Sequence, residues 1–286
     1  SVNISVPTII RVLFASSVFA LVHFLLFYFN HSHEGLRYSG TSSVTITYSN
    51  ISAIMLVLSI YLLSIYNINH RQKIMCVLTA LIFIVLIIYS GSRGPTFGII
   101  ASILLLIILK RSILLLSVLS VVLIAILSTS NIMSNRIDDL YQLESLEINE
   151  IKYRSLRERV YYNKSGTELI KDNYLFGIGP QNLVSNLESQ MIRDNITTVR
   201  AQNHLHNEFL DISVKYGVLT LLLLILIYYY FVSLSKNKEI SLSIIILLIT
   251  SQVFQSHFAH HQAITFYIIT LILLMRLKLD DNEKTN

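Results

Sequence analysis

The chain has 286 residues, 53% hydrophobic and only 14% charged, with a net charge of +5. A soluble domain carries nearer a quarter charged residues, so an ordinary dispersed globular protein is excluded. The basic excess is no nucleic-acid signal either, because Lys and Arg cluster beside apolar runs and do not line one polar face.

Taken in order, the chain opens on Ser1 with neither a basic n-region nor a small-residue cleavage site, and reads as the remainder of a longer chain. Its apolar residues come in runs, not in the alternation that barrel strands require. A helix needs about 20 mostly apolar residues to cross the hydrocarbon core. Spans are expected over 9–29, 51–66, 74–90, 95–109, 112–129, 213–235, 240–256 and 262–276. The fold class is therefore all-α, a polytopic transmembrane helical bundle. It divides into an N-terminal membrane part (1–129), one large polar insert (130–212) and a C-terminal membrane part with a short tail (213–286). The lone Cys76 lies in an apolar run and rules out an intrachain disulfide.

The short connections assign the sides. Arg11, Arg71 with Lys73, Lys110 with Arg111, Lys236 with Lys238, and Arg276 with Lys278 all fall on one face, which the positive-inside rule makes cytoplasmic. The insert, together with 30–50, 91–95 and 257–262, then faces outward. Twelve of the 17 acidic residues lie in the insert. Within it, 154–172 reads as a helix with Leu156, Val160, Leu169 and Ile170 as apolar contacts. Gly177-Ile178-Gly179-Pro180 breaks that helix. The stretch from Asn207 to about Ser235 reads as one long helix that starts polar and enters the membrane. Central parts of the spans hold no Asp, Glu, Lys or Arg; His23, Gln252 and Gln255 are the polar exceptions. That argues against an ion-coupled transporter, which needs intramembrane ionisable groups.

Four places could carry chemistry. Arg93, in the turn Ser90-Gly91-Ser92-Arg93-Gly94-Pro95, puts a guanidinium at the outer surface against the chain's own charge bias, and that group is suited to bidentate phosphate binding. A snorkelling arginine in a hairpin is the plain alternative. Arg159 stands with Arg154 and Arg157 on the insert helix, where Glu158 also allows a salt-bridged face. His206, in His204-Leu205-His206-Asn207-Glu208, is an imidazole at a helix start that can act as a base near neutral pH. His204, His257, His260 and His261 share its side, but their spacings match no standard zinc motif and no metal is expected. Arg37 begins Arg37-Tyr38-Ser39-Gly40-Thr41, with Asn50 after it.

Together and in this order, these fragments resemble the O-antigen ligase and O-antigen polymerase superfamily of bacterial envelope glycosyltransferases. His206-Asn207, nine residues, then Gly217-Val218-Leu219-Thr220 is similar to the family's central pattern. Ser92-Arg93-Gly94 resembles its Ser-Arg-Gly turn. Arg159 followed by Gly177-Ile178-Gly179-Pro180 resembles its loop element, and Arg37 with Gly40 and Asn50 an earlier one. Asn163 stands where the family has an aromatic, with Tyr161 and Tyr162 adjacent, and the chain has no Trp.

The resemblance implies a GT-C-like membrane fold. It implies transfer of a glycan from undecaprenyl diphosphate to an acceptor hydroxyl, on the outer face of the bacterial inner membrane and without cofactor or metal. A second lipid-linked repeat unit as acceptor makes the chain a polymerase, the favoured reading; the lipid A core makes it a ligase. His206 is the expected base. Arg93, Arg159 and Arg37 are the expected diphosphate contacts, and Asn207, Gly177, Gly179 and Gly217 support them. The rival from another class is a flippase or transporter of lipid-linked sugar; a third reading is a non-catalytic scaffold of an envelope complex.

Overall fold

The computed structural model describes residues 5–30, 45–65, 67–112, 115–117, 119–120, 148–151, 154–256 and 261–276. Arg37, the expected outer segment around it, and most of the expected span 112–129 lie outside the described residues. Among the described residues the structure is helical without strands, as the apolar runs require. Ten α-helices are used below: α1 Val6–Asn30, α2 Thr45–Ile65, α3 His70–Ser90, α4 Arg93–Lys110, α5 Arg154–Asp172, α6 Leu183–Arg193, α7 Glu208–Tyr216, α8 Val218–Leu234, α9 Lys238–Phe254 and α10 His261–Arg276. The helices α1 to α4 contain stretches long and apolar enough to cross a membrane.

The residues fall into two compact units. The first comprises residues 1–127, 229–251 and 260–286. Its central helix is α2, which α1, α3, α4 and α10 all contact. Ala53, Ile54 and Val57 of α2 are fully buried, whereas Phe19, Leu26 and Phe29 of α1 stay exposed, as a lipid-facing helix allows. Small and hydroxyl side chains make the close contacts, because lipid tails give apolar side chains little reason to prefer each other. Ser90 donates to Ser49 at 3.0 Å. Along α4, a Cβ on Gly98 would lie 2.8 Å from the Leu247 carbonyl oxygen, so the α4 and α9 backbones meet there. Four residues on, Ser102 donates to the Ser243 carbonyl at 2.6 Å. At its end, Lys110 pairs with Glu239. As numbers rise on α4 they fall on α9, so the two helices are antiparallel.

The α3 ends are written in the sequence. Asn69 caps the start: its Oδ1 accepts from Gln72 N–H at 3.0 Å, and Gln72 Oε1 accepts from Asn69 N–H at 3.0 Å. Gly91, at φ 59°, closes the other end by donating to the Ile88 carbonyl.

The second unit comprises residues 128–228 and 252–259. Its core is Tyr161 and Tyr162 of α5, Leu183, Leu187 and Met191 of α6, Val199, Leu205, and Val214 of α7. Leu169 and Ile170 pack against this cluster as expected, but the two tyrosines are its largest fully buried members. The structure departs from the sequence reading in two places. An unforeseen helix, α6, follows Pro180. The expected single helix from 207 to 235 is two, α7 and α8, broken at Gly217 (φ 82°, ψ 169°). That backbone region is open essentially to glycine alone.

Candidate functional site

The start of α7 is built around one carboxylate. Asn207 is the N-cap, its Oδ1 accepting from the N–H groups of Phe209 (3.1 Å) and Leu210 (3.3 Å). Just before it, His206 takes a left-handed conformation at φ 56°, uncommon outside glycine and enriched for Asn, Asp and His. Asp211, one turn into α7, holds the incoming loop. Its Oδ1 accepts from Leu205 N–H at 3.0 Å, and its Oδ2 accepts from Lys215 Nζ at 2.6 Å. Lys215 Nζ also donates to the Asn203 carbonyl at 2.6 Å. Burial pushes the Asp211 carboxyl above the usual carboxylate value, while the Lys215 ammonium and the Leu205 N–H pull it back. The spacing of four from Asp211 to Lys215 is the sequence signal for this clamp.

Three side chains then fix the His206 ring. Tyr162 stacks on it with centroids 5.8 Å apart and planes 29° apart. His204 meets its edge at 4.5 Å and 76°. Gln255 Oε1 lies 3.1 Å from His206 Nδ1. With Oε1 as the facing atom of the Gln255 amide, which only accepts, the proton belongs on Nδ1 and Nε2 is the basic nitrogen of the neutral ring. Tyr162 is itself held: its hydroxyl donates to the Arg200 carbonyl, and burial raises the phenol so that it stays a neutral donor. Gln252, the other glutamine in that segment, exchanges hydrogen bonds with the Tyr228 hydroxyl at 2.7 and 2.9 Å. The polar exceptions Gln252 and Gln255 thus anchor the segment and present an amide to the imidazole. Glu208, fully buried, stands in the first turn of α7, where a carboxylate gains from the helix dipole.

The glycines of the pattern meet one another at the far end of α7. Ile178 and Gly179 N–H groups donate to the Val214 and Lys215 carbonyls at 2.8 and 3.0 Å. Val218 N–H donates to the Tyr174 carbonyl at 2.8 Å. This contact is backbone against backbone. A Cβ on Gly177 would lie 2.5 Å from the Lys215 carbonyl carbon, and one on Gly217 would lie 2.0 Å from the Leu175 carbonyl oxygen. The two glycine elements, separated in sequence, are therefore the two faces of one joint.

The arginines divide. Arg159 lies on α5 one turn before Tyr162, the residue stacked on His206. Its neighbours have structural work: Arg154 Nε bonds Glu158 at 2.7 Å, and Arg157 Nη1 donates to the Ile151 carbonyl at 3.0 Å. Arg93 belongs to the first unit, where it is half-buried as the first residue of α4 after the Gly91–Ser92 turn. Thus the structure gathers His206, Asn207, Gly177, Gly179, Gly217 and Arg159 in one unit and leaves Arg93 with the other. A separate polar cleft of about 530 Å³ between α5 and α6 includes Glu168, Lys171, Asp172, Gln190 and Arg193 in its lining, and none of these expected residues. Among the described residues no three of His, Cys, Asp and Glu gather as a metal-ligand set. Tyr162, Gln255, Asp211 and Lys215 are the site neighbours that sequence reasoning missed.

No curated protein matches the chain. The family described as O-antigen ligase matches residues 78–225, just over half of it. The matched stretch runs from within α3 into α8 and takes in Arg93, Arg159, Gly177, Gly179, His206, Asn207 and Gly217. On that match this helical, multi-pass membrane chain belongs to the O-antigen ligase family.

Proposed function

We propose that this protein moves a glycan from undecaprenyl diphosphate to an acceptor hydroxyl on the outer face of the inner membrane, with His206 as general base. The acceptor favoured is a second lipid-linked repeat unit; the lipid A core is the alternative. The observation that supports this reading most is the imidazole whose Nδ1 is tied to Gln255 at 3.1 Å and whose ring lies against buried Tyr162. A hydroxyl is a poor nucleophile, and a held base removes its proton as the new bond forms. Nε2 takes the proton while the acceptor oxygen attacks the anomeric carbon. The bond from that carbon to the diphosphate oxygen breaks, and the lipid diphosphate leaves with the electron pair. Direct displacement inverts the anomeric centre. Negative charge grows on the leaving group, and arginines lower the barrier where it grows. Arg159 is proposed for that part on its place one turn from Tyr162, and Arg93 and Arg37 on sequence grounds.

The test is restoration of the surface glycan ladder in a strain lacking the cognate enzyme, with variants at matched membrane expression. Arg159→Ala is expected to cut transfer by about 10²–10³-fold, the usual effect of losing one donor to developing charge. A ladder equal to wild type from both Arg159→Ala and Arg93→Ala would remove these two arginines from the proposal. The residual pattern of the null strain separates the two acceptors: single repeat units on the core mark a missing polymerase, a bare core a missing ligase.

Gln255 gives a second test with a defined sign. In Gln255→Glu a carboxylate accepts from Nδ1–H and favours the imidazolium, so the basic form of His206 disappears at a higher pH. The acid limb of the kcat/KM profile should move up by about 1 unit or more. An unmoved limb would mean that His206 is not the titrating base.

A further inference from the structure

We propose that the tip Tyr174-Leu175-Phe176 is a membrane-interface anchor, seated at the boundary between lipid headgroups and acyl chains. This rests on α8 being a membrane span and not on the proposed transfer reaction. The three side chains are 55%, 40% and 76% exposed, and Tyr216 beside them is 47% exposed. They belong to no loose loop. Gly177 N–H donates to the Asn173 carbonyl at 2.8 Å, closing the turn, and the Tyr174 carbonyl accepts from Val218, the first residue of α8. Leu175 sits so close to Gly217 that no side chain fits between them. Chain order and backbone contact therefore fix the tip at the level where α8 begins.

What covers the tip follows from what continues it. Leu219, Leu222 and Leu223 of α8 are also exposed, and residues 221–227 are Leu and Ile without interruption. A helix that is apolar all round meets lipid. Tyr174, Leu175 and Phe176, with Tyr216, stand at the N-terminal end of the helix that bears these exposed leucines. Tyrosines are enriched at this depth because the ring sits in apolar surroundings while the hydroxyl stays wet. The joint that carries the tip also carries α7. From Gly217 back to His206 the helical rise is at most roughly 17 Å. An anchored tip therefore sets the height of the imidazole above the bilayer boundary.

The chain has no Trp, so one substitution supplies the sole indole. Phe176→Trp is placed in the full-length protein reconstituted into phosphatidylcholine vesicles, a fraction of whose lipids carry bromine on the upper acyl chain. Leu223→Trp on α8 serves as the lipid-contact reference, and Ile192→Trp, at an 82% exposed position on α6, as the aqueous one. The expected result is blue-shifted Phe176→Trp emission, most of it lost to the brominated lipid as for Leu223→Trp, with iodide in the buffer quenching only Ile192→Trp. Emission at the wavelength of Ile192→Trp would put the tip in water and overturn the proposal. A blue shift without bromine quenching would mean that protein covers the tip, and would overturn it too. Loss of quenching in Leu223→Trp as well would overturn the reading of α8 as lipid-facing. None of these outcomes bears on whether His206 is a base.

Discussion

His206→Ala is expected to slow glycan transfer by about 10²–10⁴-fold, the span usual for a positioned general base. The substitution removes the basic nitrogen and also the ring between Tyr162 and Gln255. It has a second effect that must be separated from the first. At φ 56° the backbone is left-handed, where alanine costs about 1–2 kcal/mol. His206→Asn provides the separation, because asparagine adopts this conformation readily and its short amide has no basic nitrogen. Both variants should lose turnover alike, whereas the alanine variant, which adds the left-handed backbone cost to the lost ring, should lower the thermal midpoint further than the asparagine variant. Added imidazole should restore part of the rate in each. Wild-type turnover in the asparagine variant would show that nothing at this position accepts a proton.

Gly217→Ala should do the greatest damage to the structure itself. Two costs add. The backbone at φ 82° and ψ 169° is strained for any side chain, at about 1–3 kcal/mol. The new Cβ would also stand 2.0 Å from the Leu175 carbonyl oxygen, and backbone on both sides leaves no flexible group to give way. Overpacking of this kind costs about 1–3 kcal/mol or more. Against a total stability of about 5–15 kcal/mol, the sum is a large share. Gly179→Ala isolates the strain, since its Cβ would meet only Asn182 Nδ2, at 3.6 Å, from an equally left-handed backbone at φ 81°. The thermal midpoint in detergent should fall clearly further for Gly217→Ala than for Gly179→Ala. Equal falls would mean that the collision with Leu175 is relieved and the joint is softer than described.

The features legible in the sequence were those that depend on local pattern. Membrane-length apolar runs gave α1 to α4, and the mixed periodicity of 154–172 gave α5 with the bounds it has. The glycine–proline break and the polar start of α7 at Asn207 were also readable, because turns and caps are local chemistry. Contacts between distant segments were not readable. Gln255 and His206 stand 49 residues apart, and no periodicity links an amide at the end of one apolar run to an imidazole before another. Gly217 stood out as a motif residue, yet its role as a break follows from the Leu175 carbonyl pressed against it, which the run on either side does not reveal. The helix α6 is short and half polar, so it carried neither a membrane signal nor a long amphipathic one. Tyr161 and Tyr162 were seen as neighbours of a missing aromatic; their complete burial depends on α6 and Leu205, which close over them.

The seam between α4 and α9 has a consequence for how the protein is made. Ser102 and the Ser243 carbonyl that receives its hydrogen bond are 141 residues apart. At about 5–20 residues per second, the ribosome takes roughly 7–28 s to supply the second half of that contact. Until then the Gly98 and Ser102 face of α4 has no α9 to close against, while the polar second unit is still being synthesised. Assembly of the first unit is therefore obliged to wait for the intervening chain. Substitutions that slow the insert's passage should reduce yield through a seam they never touch.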